Sequence, residues 1–322
     1  MKSATELKGY SYPIEMGRQA RDRGEILTMR VETSLLCNLK CRYCAWDSGS
    51  PLEDEISYAT LVRFIAEGKE LGAKSVVVIG GGEPTVFKKF KELITLIHSL
   101  DMTPVIITNG LVVDRELAEF LYEKNCSILL KYDSYTEEIQ EYLSGRKGTF
   151  ASIENALHAL MDVGFCEKQE NETEQRMGLS FVVTKKNVQE VPNIWRFCRK
   201  NNLYPNMELL NPIGRTADNI EDLSADPKLV KEMLEEIKKI DDKEFGIEQK
   251  KCKEHANHCL QHLYSVYLNV QGYVQPCGAM RIKKFNFKDS TLKNILNNDY
   301  FKIARNLEKH LSEDVELTSF NV

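Results

Sequence analysis

Short apolar runs of β type alternate with helical stripes from residue 29 to about residue 210. Runs at 29–35, 75–79, 104–108, 127–131, 179–183 and 207–210 are rich in Val, Ile and Leu and predict strands. Stripes at 58–71, 87–100, 114–124, 150–163 and 191–201 predict helices. Asp114 stands ahead of Leu117, Phe120 and Leu121, as an N-cap residue precedes a helical apolar face. Six β/α units in succession imply an α/β fold with a parallel sheet and right-handed crossovers. A barrel, open or closed, suits this rhythm better than a doubly wound sheet. Residues 169–176 carry no apolar side chain and predict an exposed connection. Beyond residue 210 the rhythm stops. An amphipathic helix is expected over 227–240, a hairpin around Gln271 and Gly272, and a last helix over 292–307.

The 322 residues are 42% apolar and 28% charged, which excludes wholesale disorder and fibrous folds. A net charge of −5 argues against nucleic acid as a partner, and the lysine-rich stretch 238–253 reads as a solvated face. No apolar run reaches the length of a membrane span, and the N-terminus lacks the apolar core of a signal peptide. A cytoplasmic protein is expected. Nine cysteines stand out against that background, because thiols in a reducing compartment serve metals or catalysis more than disulfides.

Three of them, Cys37, Cys41 and Cys44, fall on one short loop after the first predicted strand. Three thiolates at these gaps suit three corners of a cubane iron–sulfur cluster, leaving one iron open to substrate or cofactor. A zinc site is the alternative, but no second Cys-x2-Cys pair lies nearby.

The Cys-x3-Cys-x-aromatic-Cys pattern, with Tyr43 as the aromatic, resembles the signature of the radical S-adenosylmethionine (radical SAM) superfamily. The resemblance implies a partial (β/α)6 TIM-like barrel, a 4Fe–4S cluster whose open iron chelates S-adenosylmethionine, and hydrogen abstraction from the substrate. An external electron donor such as flavodoxin or ferredoxin is then a partner. Gly80-Gly81-Gly82-Glu83-Pro84 follows the second strand and is similar to that family's Gly-Gly-Glu-Pro segment, so Gly81, Gly82, Glu83 and Pro84 are cofactor-binding candidates. Thr108-Asn109-Gly110 follows the third strand and looks like the family's Thr-Asn-Gly turn, which adds Asn109. After the fourth strand comes Lys131-Tyr132-Asp133-Ser134, where relatives often carry Ser-Leu-Asp. Lys131, Asp133 and Ser134 join the candidates, with Ser180 and Glu208 as weaker ones. Arg215, after the sixth strand, is placed to clamp an anionic substrate or to sit on the surface.

Cys252, Cys259 and Cys277 form a second group, and the Gly272-x4-Cys277 ending resembles the twitch and SPASM auxiliary-cluster modules of such enzymes. A second 4Fe–4S cluster is expected there, with a zinc site that includes His255 as the alternative. No cysteine follows Cys277, so its fourth ligand is open: a histidine (His255, His258 or His262), a distant cysteine, or substrate. Cys126, Cys166 and Cys198 stand alone, as core thiols or as hydrogen donors that quench a substrate radical.

These readings assign residues 1–215 to the barrel and 216–322 to a small twitch-like auxiliary domain. Only 28 residues precede the first predicted strand, too few for a leader-binding domain. The expectation is therefore an enzyme acting on a small polar metabolite, sugar- or nucleoside-like, giving oxidation, epimerisation or rearrangement. A maturase of a ribosomally made peptide is the alternative, and a non-catalytic iron–sulfur scaffold or electron carrier is the alternative of another class.

Overall fold

A computed structural model describes residues 6–168, 174–247, 259–278 and 283–307. Six strands run parallel in chain order: β1 (Thr28–Ser34), β2 (Ser75–Gly81), β3 (Thr103–Thr108), β4 (Ser127–Lys131), β5 (Met177–Val183) and β6 (Tyr204–Leu209). Helices α2 (Tyr58–Glu70), α3 (Phe90–Ser99), α4 (Arg115–Glu123), α6 (Thr149–Val163) and α7 (Val191–Lys200) make the crossovers, and α1 (Ile14–Asp22) precedes β1. A short helix, α5 (Glu137–Ser144), lies between β4 and α6 and has no counterpart among the predicted elements. The Asp114 side chain caps α4 as expected, accepting from Leu117 N at 2.8 Å. This is the open (β/α)6 form of a TIM-like barrel, in agreement with the sequence reading.

Strands β1 to β5 bury both faces, as parallel strands between two layers must, while the end of β6 at Glu208 and Leu209 is exposed. Val76, Val78, Ile106, Ile128 and Leu130 pack outward beneath the helices, among them Leu61, Phe64 and Ile65 of α2. Burial of each such side chain contributes roughly 1.5–3 kcal/mol. Their neighbours, Val77, Val105 and Leu129, turn inward and meet Leu7 and Tyr10 of the N-terminal segment. That segment plugs the barrel at the N-terminal ends of its strands.

After β6 come α8 (Pro227–Lys239) and then β7 (Ser265–Leu268), which returns to pair in parallel with β1. β8 (Tyr273–Gln275) and β9 (Phe285–Asn286) add antiparallel strands, so one nine-stranded sheet runs β9-β8-β7-β1-β2-β3-β4-β5-β6. The hairpin expected at Gln271 and Gly272 is thus the β7–β8 turn, and it continues the barrel's own sheet. The last predicted helix is two helices, α9 (Leu292–Leu296) and α10 (Asp299–Asn306). Asn298 breaks it by capping the second, accepting from Tyr300 N at 3.0 Å.

The exposed connection expected at 169–176 is corrected at its end; residues 169–173 lie outside the described ones. Gln175 and Arg176 are buried. Gln175 pairs with Leu7 in a two-residue parallel ladder. The Arg176 guanidinium donates to the carbonyls of Cys126 and Tyr122 and stacks on Tyr122 and Phe165. A polar run hides well when backbone carbonyls and ring faces satisfy its charge. Among the described residues no helix is long and apolar enough to cross a membrane.

Candidate functional site

β1 ends in a loop that closes on itself. Gly49 N donates to Leu35 O at 2.9 Å, and Cys37 N donates back to Gly49 O at 3.1 Å. Cys37, Cys41 and Cys44 are free thiols on this loop and line a single cavity at the C-terminal ends of the barrel strands. That end is where barrels of this kind carry their chemistry. Burial pushes the Cys37 thiol up to about 11 and, with the Asp133 carboxylate adding to it, the Cys41 thiol up to about 12.

The glycine-rich segment is laid against this loop. Gly82 N donates to Ser34 O at 2.7 Å and Glu83 N to Leu36 O at 2.9 Å. A Cβ on Gly82 would stand 2.0 Å from Leu36 O, so only glycine permits the approach. Glu83 is 4% exposed and all its acceptor contacts are internal. Oε1 accepts from Thr85 N at 3.1 Å, Thr85 Oγ1 at 2.7 Å and Thr108 Oγ1 at 2.6 Å, while Oε2 accepts from Asn109 N at 2.7 Å. Burial raises its carboxyl despite these donors. The Gly81–Glu83 turn and the Thr108–Asn109 turn are therefore one braced unit. Asn109 Nδ2 extends it to Asn38 Oδ1 at 2.7 Å, back in the cysteine loop.

On the other side of the cavity the Tyr43 hydroxyl donates to Asp133 Oδ2. Asp133 is fully buried; Oδ1 accepts from Val182 N at 2.9 Å and lies 3.6 Å from Lys131 Nζ. The Lys131 ammonium stands 5.2 Å from the Tyr43 ring centroid. Burial pulls its pKa down, but the carboxylates of Asp133 and Glu208 outweigh this and hold it above the ordinary lysine value. Lys131, Asp133 and Asn109 line the cavity with Gly81, Gly82 and Glu83. Pro84, Ser134 and Ser180 do not line it. The Ser134 hydroxyl is turned to Glu190, and the Ser180 hydroxyl donates to Glu208 Oε1 at 3.0 Å. Glu208 itself reaches the cavity, with Leu209 and Asn211 beside it.

Several residues of this site had no place in the sequence reading. Gln140 of α5 receives the amides of Asp133 and Ser134 on its Oε1, at 2.9 and 3.1 Å. Arg42 binds α5 from the loop, donating to Tyr142 O at 3.1 Å and stacking on its ring. Two signals point to α5: Glu137 and Glu138 in its first turn and Gly145 at its C-cap. Arg215 is neither a surface residue nor a free clamp. Its guanidinium donates to Cys41 O at 3.0 Å and Ser48 O at 2.8 Å and pairs with Asp47. Gly214, whose Cβ would meet Cys44 O at 2.6 Å, brings it there. The Trp46 indole, next to the loop, donates to Glu32, which also accepts from Tyr267 of β7.

Of the second cysteine group, the described members Cys259 and Cys277 flank β7 and β8. β7 parallels β1 while β8 runs back, so the start of β7 and the end of β8 meet at the N-terminal ends of the barrel strands. Ser265 Oγ reaches Pro276 O at 3.4 Å there. Cys259 precedes β7 and is exposed; Cys277 follows β8 and is half-buried. Cys252, His255 and His258 lie outside the described residues. His262 is buried, with Nε2 2.9 Å from Leu307 O. The lone thiols do not line the cavity. Cys126 precedes β4, Cys166 lies 4.0 Å from Met177 at the start of β5, and Cys198 is buried on α7. Burial alone pushes Cys166 up to about 12.

Three thiols rimming one cavity, with glycine backbone on one flank and a lysine–carboxylate pair on the other, fit a cluster that takes three protein ligands and leaves one iron for a cofactor. An open (β/α)6 barrel bearing that loop after its first strand defines a class of iron–sulfur enzyme. Comparison with known proteins agrees. The profile of the radical SAM superfamily matches residues 31–192, and the chain belongs to that superfamily. It is thereby an enzyme that uses S-adenosylmethionine and a 4Fe–4S cluster.

The chain is 29% identical over 218 residues to Fe-coproporphyrin III synthase of Methanosarcina barkeri, covering 66% of this chain and 52% of that protein. It is 30% identical over 193 residues to the mycofactocin maturase MftC of Mycobacterium ulcerans, covering 60% and 49%. The chain thus spans about half the length of these curated relatives. Among solved structures, Streptococcus suis SuiB bound to precursor peptide SuiA superposes with a TM-score of 0.69 at 17% identity, covering 92% of this chain and 73% of that one. The expectation of a small polar metabolite as substrate is overturned by the likeness to the maturase MftC. The count of residues ahead of the first strand, on which that expectation rested, says nothing about substrate class.

Proposed function

We propose that this protein is a radical SAM maturase that modifies a peptide at an unactivated carbon. The observation that carries the reading is the open edge of the barrel. β6 pairs on one side only, and exposed Glu208 and Leu209, with Asn211, form the cavity wall at that edge. A long chain can enter there with one side chain in the cavity and the rest outside. When bound, the cofactor and its cluster supply one-electron cleavage to an organic radical that takes a hydrogen atom from the substrate. The residues of this chain position that event. Cys37, Cys41 and Cys44 hold the cluster. The backbone of Gly81–Glu83 and the polar groups of Asn109, Lys131 and Asp133 receive S-adenosylmethionine. Glu83, Ser134 and Ser180 act by bracing these turns, and Pro84 by ending the segment.

The C-terminal part, from about residue 216, is read as a twitch-like unit in which Cys252, Cys259 and Cys277 bind a second 4Fe–4S cluster. A flavodoxin- or ferredoxin-type protein supplies electrons, and the free thiols suit the reducing cytoplasm.

The test is anaerobic turnover of the reduced, iron-loaded full chain with S-adenosylmethionine and a precursor peptide encoded beside its gene. The reading expects 5′-deoxyadenosine above the peptide-free background and a change in peptide mass. Background-level 5′-deoxyadenosine with unmodified peptide, while a small metabolite stimulates its formation, would reject it.

A further inference from the structure

β6 is an edge strand and pairs only with β5. Which of its backbone groups face outward follows from the ladder behind it. Ser180 O accepts from Tyr132 N at 2.8 Å, so the even-numbered residues of β5 bond towards β4. The odd-numbered ones bond towards β6, where Leu179 stands opposite Pro205 and Phe181 opposite Met207. In a parallel ladder a residue bonds to the two neighbours of its opposite number, here Tyr204, Asn206 and Glu208. Pro205, Met207 and Leu209 therefore turn their backbone groups outward. Proline suits that place, since it has no N–H to leave unpaired. Among the described residues, nothing outside the β5 ladder bonds to the backbone of Met207 or Leu209, and Leu209 is 40% exposed. A free row of this kind is a template for another chain.

The geometry points to the edge of β6 as the docking strand for the substrate: an extended segment of the peptide adds to it through the free groups of Met207 and Leu209. The inference rests on the reading of this protein as a peptide maturase. Edge and cavity are continuous, because Glu208 and Leu209 belong to both. Residues opposite one another in a sheet point their side chains to the same face, and successive residues to opposite faces. The peptide residue opposite Glu208 thus projects into the cavity, while its two neighbours project away. Main-chain bonds hold the segment whatever its side chains are, and one side chain is presented to the reacting centre. The N–H groups of the added strand point alternately towards β6 and away from it. Proline is then admitted in the bound segment at every second position only.

The experiment gives the reduced, iron-loaded full chain the precursor peptide encoded beside its gene, made with one backbone N-methyl group at each position in turn around the modified residue. KM should rise about tenfold at every second position, where an N–H to β6 is lost, and stay within about twofold at the positions between. A parent peptide that is not modified at all rejects the maturase reading, and the inference with it. A parent peptide that is modified, with N-methyl effects that are flat or show no period of two, leaves that reading intact and overturns the docking strand. On the protein side, Met207→Pro removes an outward N–H and Met207→Ala keeps it. The first should raise KM about tenfold and the second leave it near the parent; equal KM in both overturns the inference. If Met207→Pro does not fold, the peptide series on the unaltered chain decides. Sedimentation of the chain without peptide should show no dimer that Met207→Pro dissociates. Such a dimer would assign the edge to a second copy of this chain and overturn the inference.

Discussion

Arg215 Nε donates to the carbonyl of Cys41 at 3.0 Å, joining two residues 174 positions apart. The same guanidinium reaches Ser48 O and Asp47, and Arg215 N donates to Cys44 O at 2.9 Å. The cluster loop is therefore held from above by the segment that leaves β6, from one flank by Gly82, and from the other by α5 through Arg42. Three points of attachment, from two loops and the helix α5, fix a segment that has no regular structure of its own. Such fixing is what pre-organised ligands require.

Arg215→Ala should loosen this loop without unfolding the barrel. The arginine side chain is 19% exposed, and charged hydrogen bonds of this kind are worth about 1.5–3 kcal/mol each when lost from a buried acceptor. We expect about 2 kcal/mol of stability to be lost. Iron held by Cys37, Cys41 and Cys44 should leave several-fold faster in air, read by the decay of cluster absorbance in a variant lacking Cys252, Cys259 and Cys277. A decay rate equal to that of the parent would show that the loop keeps its shape without the clamp.

Gly82→Val tests the close approach between the glycine-rich turn and the loop. Its Cβ would meet Leu36 O at 2.0 Å and Leu35 C at 2.7 Å, both backbone atoms that cannot swing aside. The turn must move, at a cost of about 1–3 kcal/mol for overpacking. S-adenosylmethionine affinity, measured by equilibrium dialysis on the reconstituted protein, should fall at least tenfold. Unchanged affinity would mean that the Gly81–Glu83 backbone does not contact the cofactor.

Much of the fold could be read from period alone. The strand at 127–131 coincides with β4, and the helix at 191–201 differs from α7 by one residue, because both carry strong apolar patterns between clear breaks. α5 escaped because its eight residues include few apolar ones, too few for a period to emerge. β7 escaped for a related reason: four residues announce a hairpin but not the parallel pairing with β1 that joins it to the barrel. At the site, thiol spacing and the glycine run identified the residues that line the cavity. The clamps did not show, since Arg215 and Arg42 bind backbone carbonyls, which leave no mark in side-chain identity. Ser134 and Ser180 carried the right polarity, but their hydroxyls are turned to Glu190 and Glu208 instead.

The Tyr43–Asp133 contact couples the cysteine loop to the ends of β4 and β5. Tyr43→Phe leaves Asp133 Oδ2, in a fully buried carboxylate, without that donor. The expected loss is about 1–3 kcal/mol, read from urea unfolding of the iron-free chain. Asp133→Asn also weakens the contact, so the double variant should be less destabilised than the sum of the singles by about 0.5 kcal/mol or more. Strict additivity would show that the hydroxyl and the carboxylate act independently.

Glu83 offers a choice between two roles. It reaches the cavity wall, yet every hydrogen bond recorded for its carboxylate ends on Thr85, Thr108 or Asn109. If it braces the two turns, stability and cofactor affinity should fall together when the brace is spoiled. Glu83→Gln does this, since an amide nitrogen cannot accept and must face either Asn109 N–H or Thr85 N–H, both backbone donors. A buried donor set against a donor costs about 1–3 kcal/mol. Thr108→Val removes one donor and leaves the carboxylate three, so its cost should be nearer 1 kcal/mol. Thermal unfolding and S-adenosylmethionine binding, measured on both variants, should rank them in the same order. A Glu83→Gln protein as stable as the parent but unable to bind the cofactor would instead make Glu83 a direct ligand.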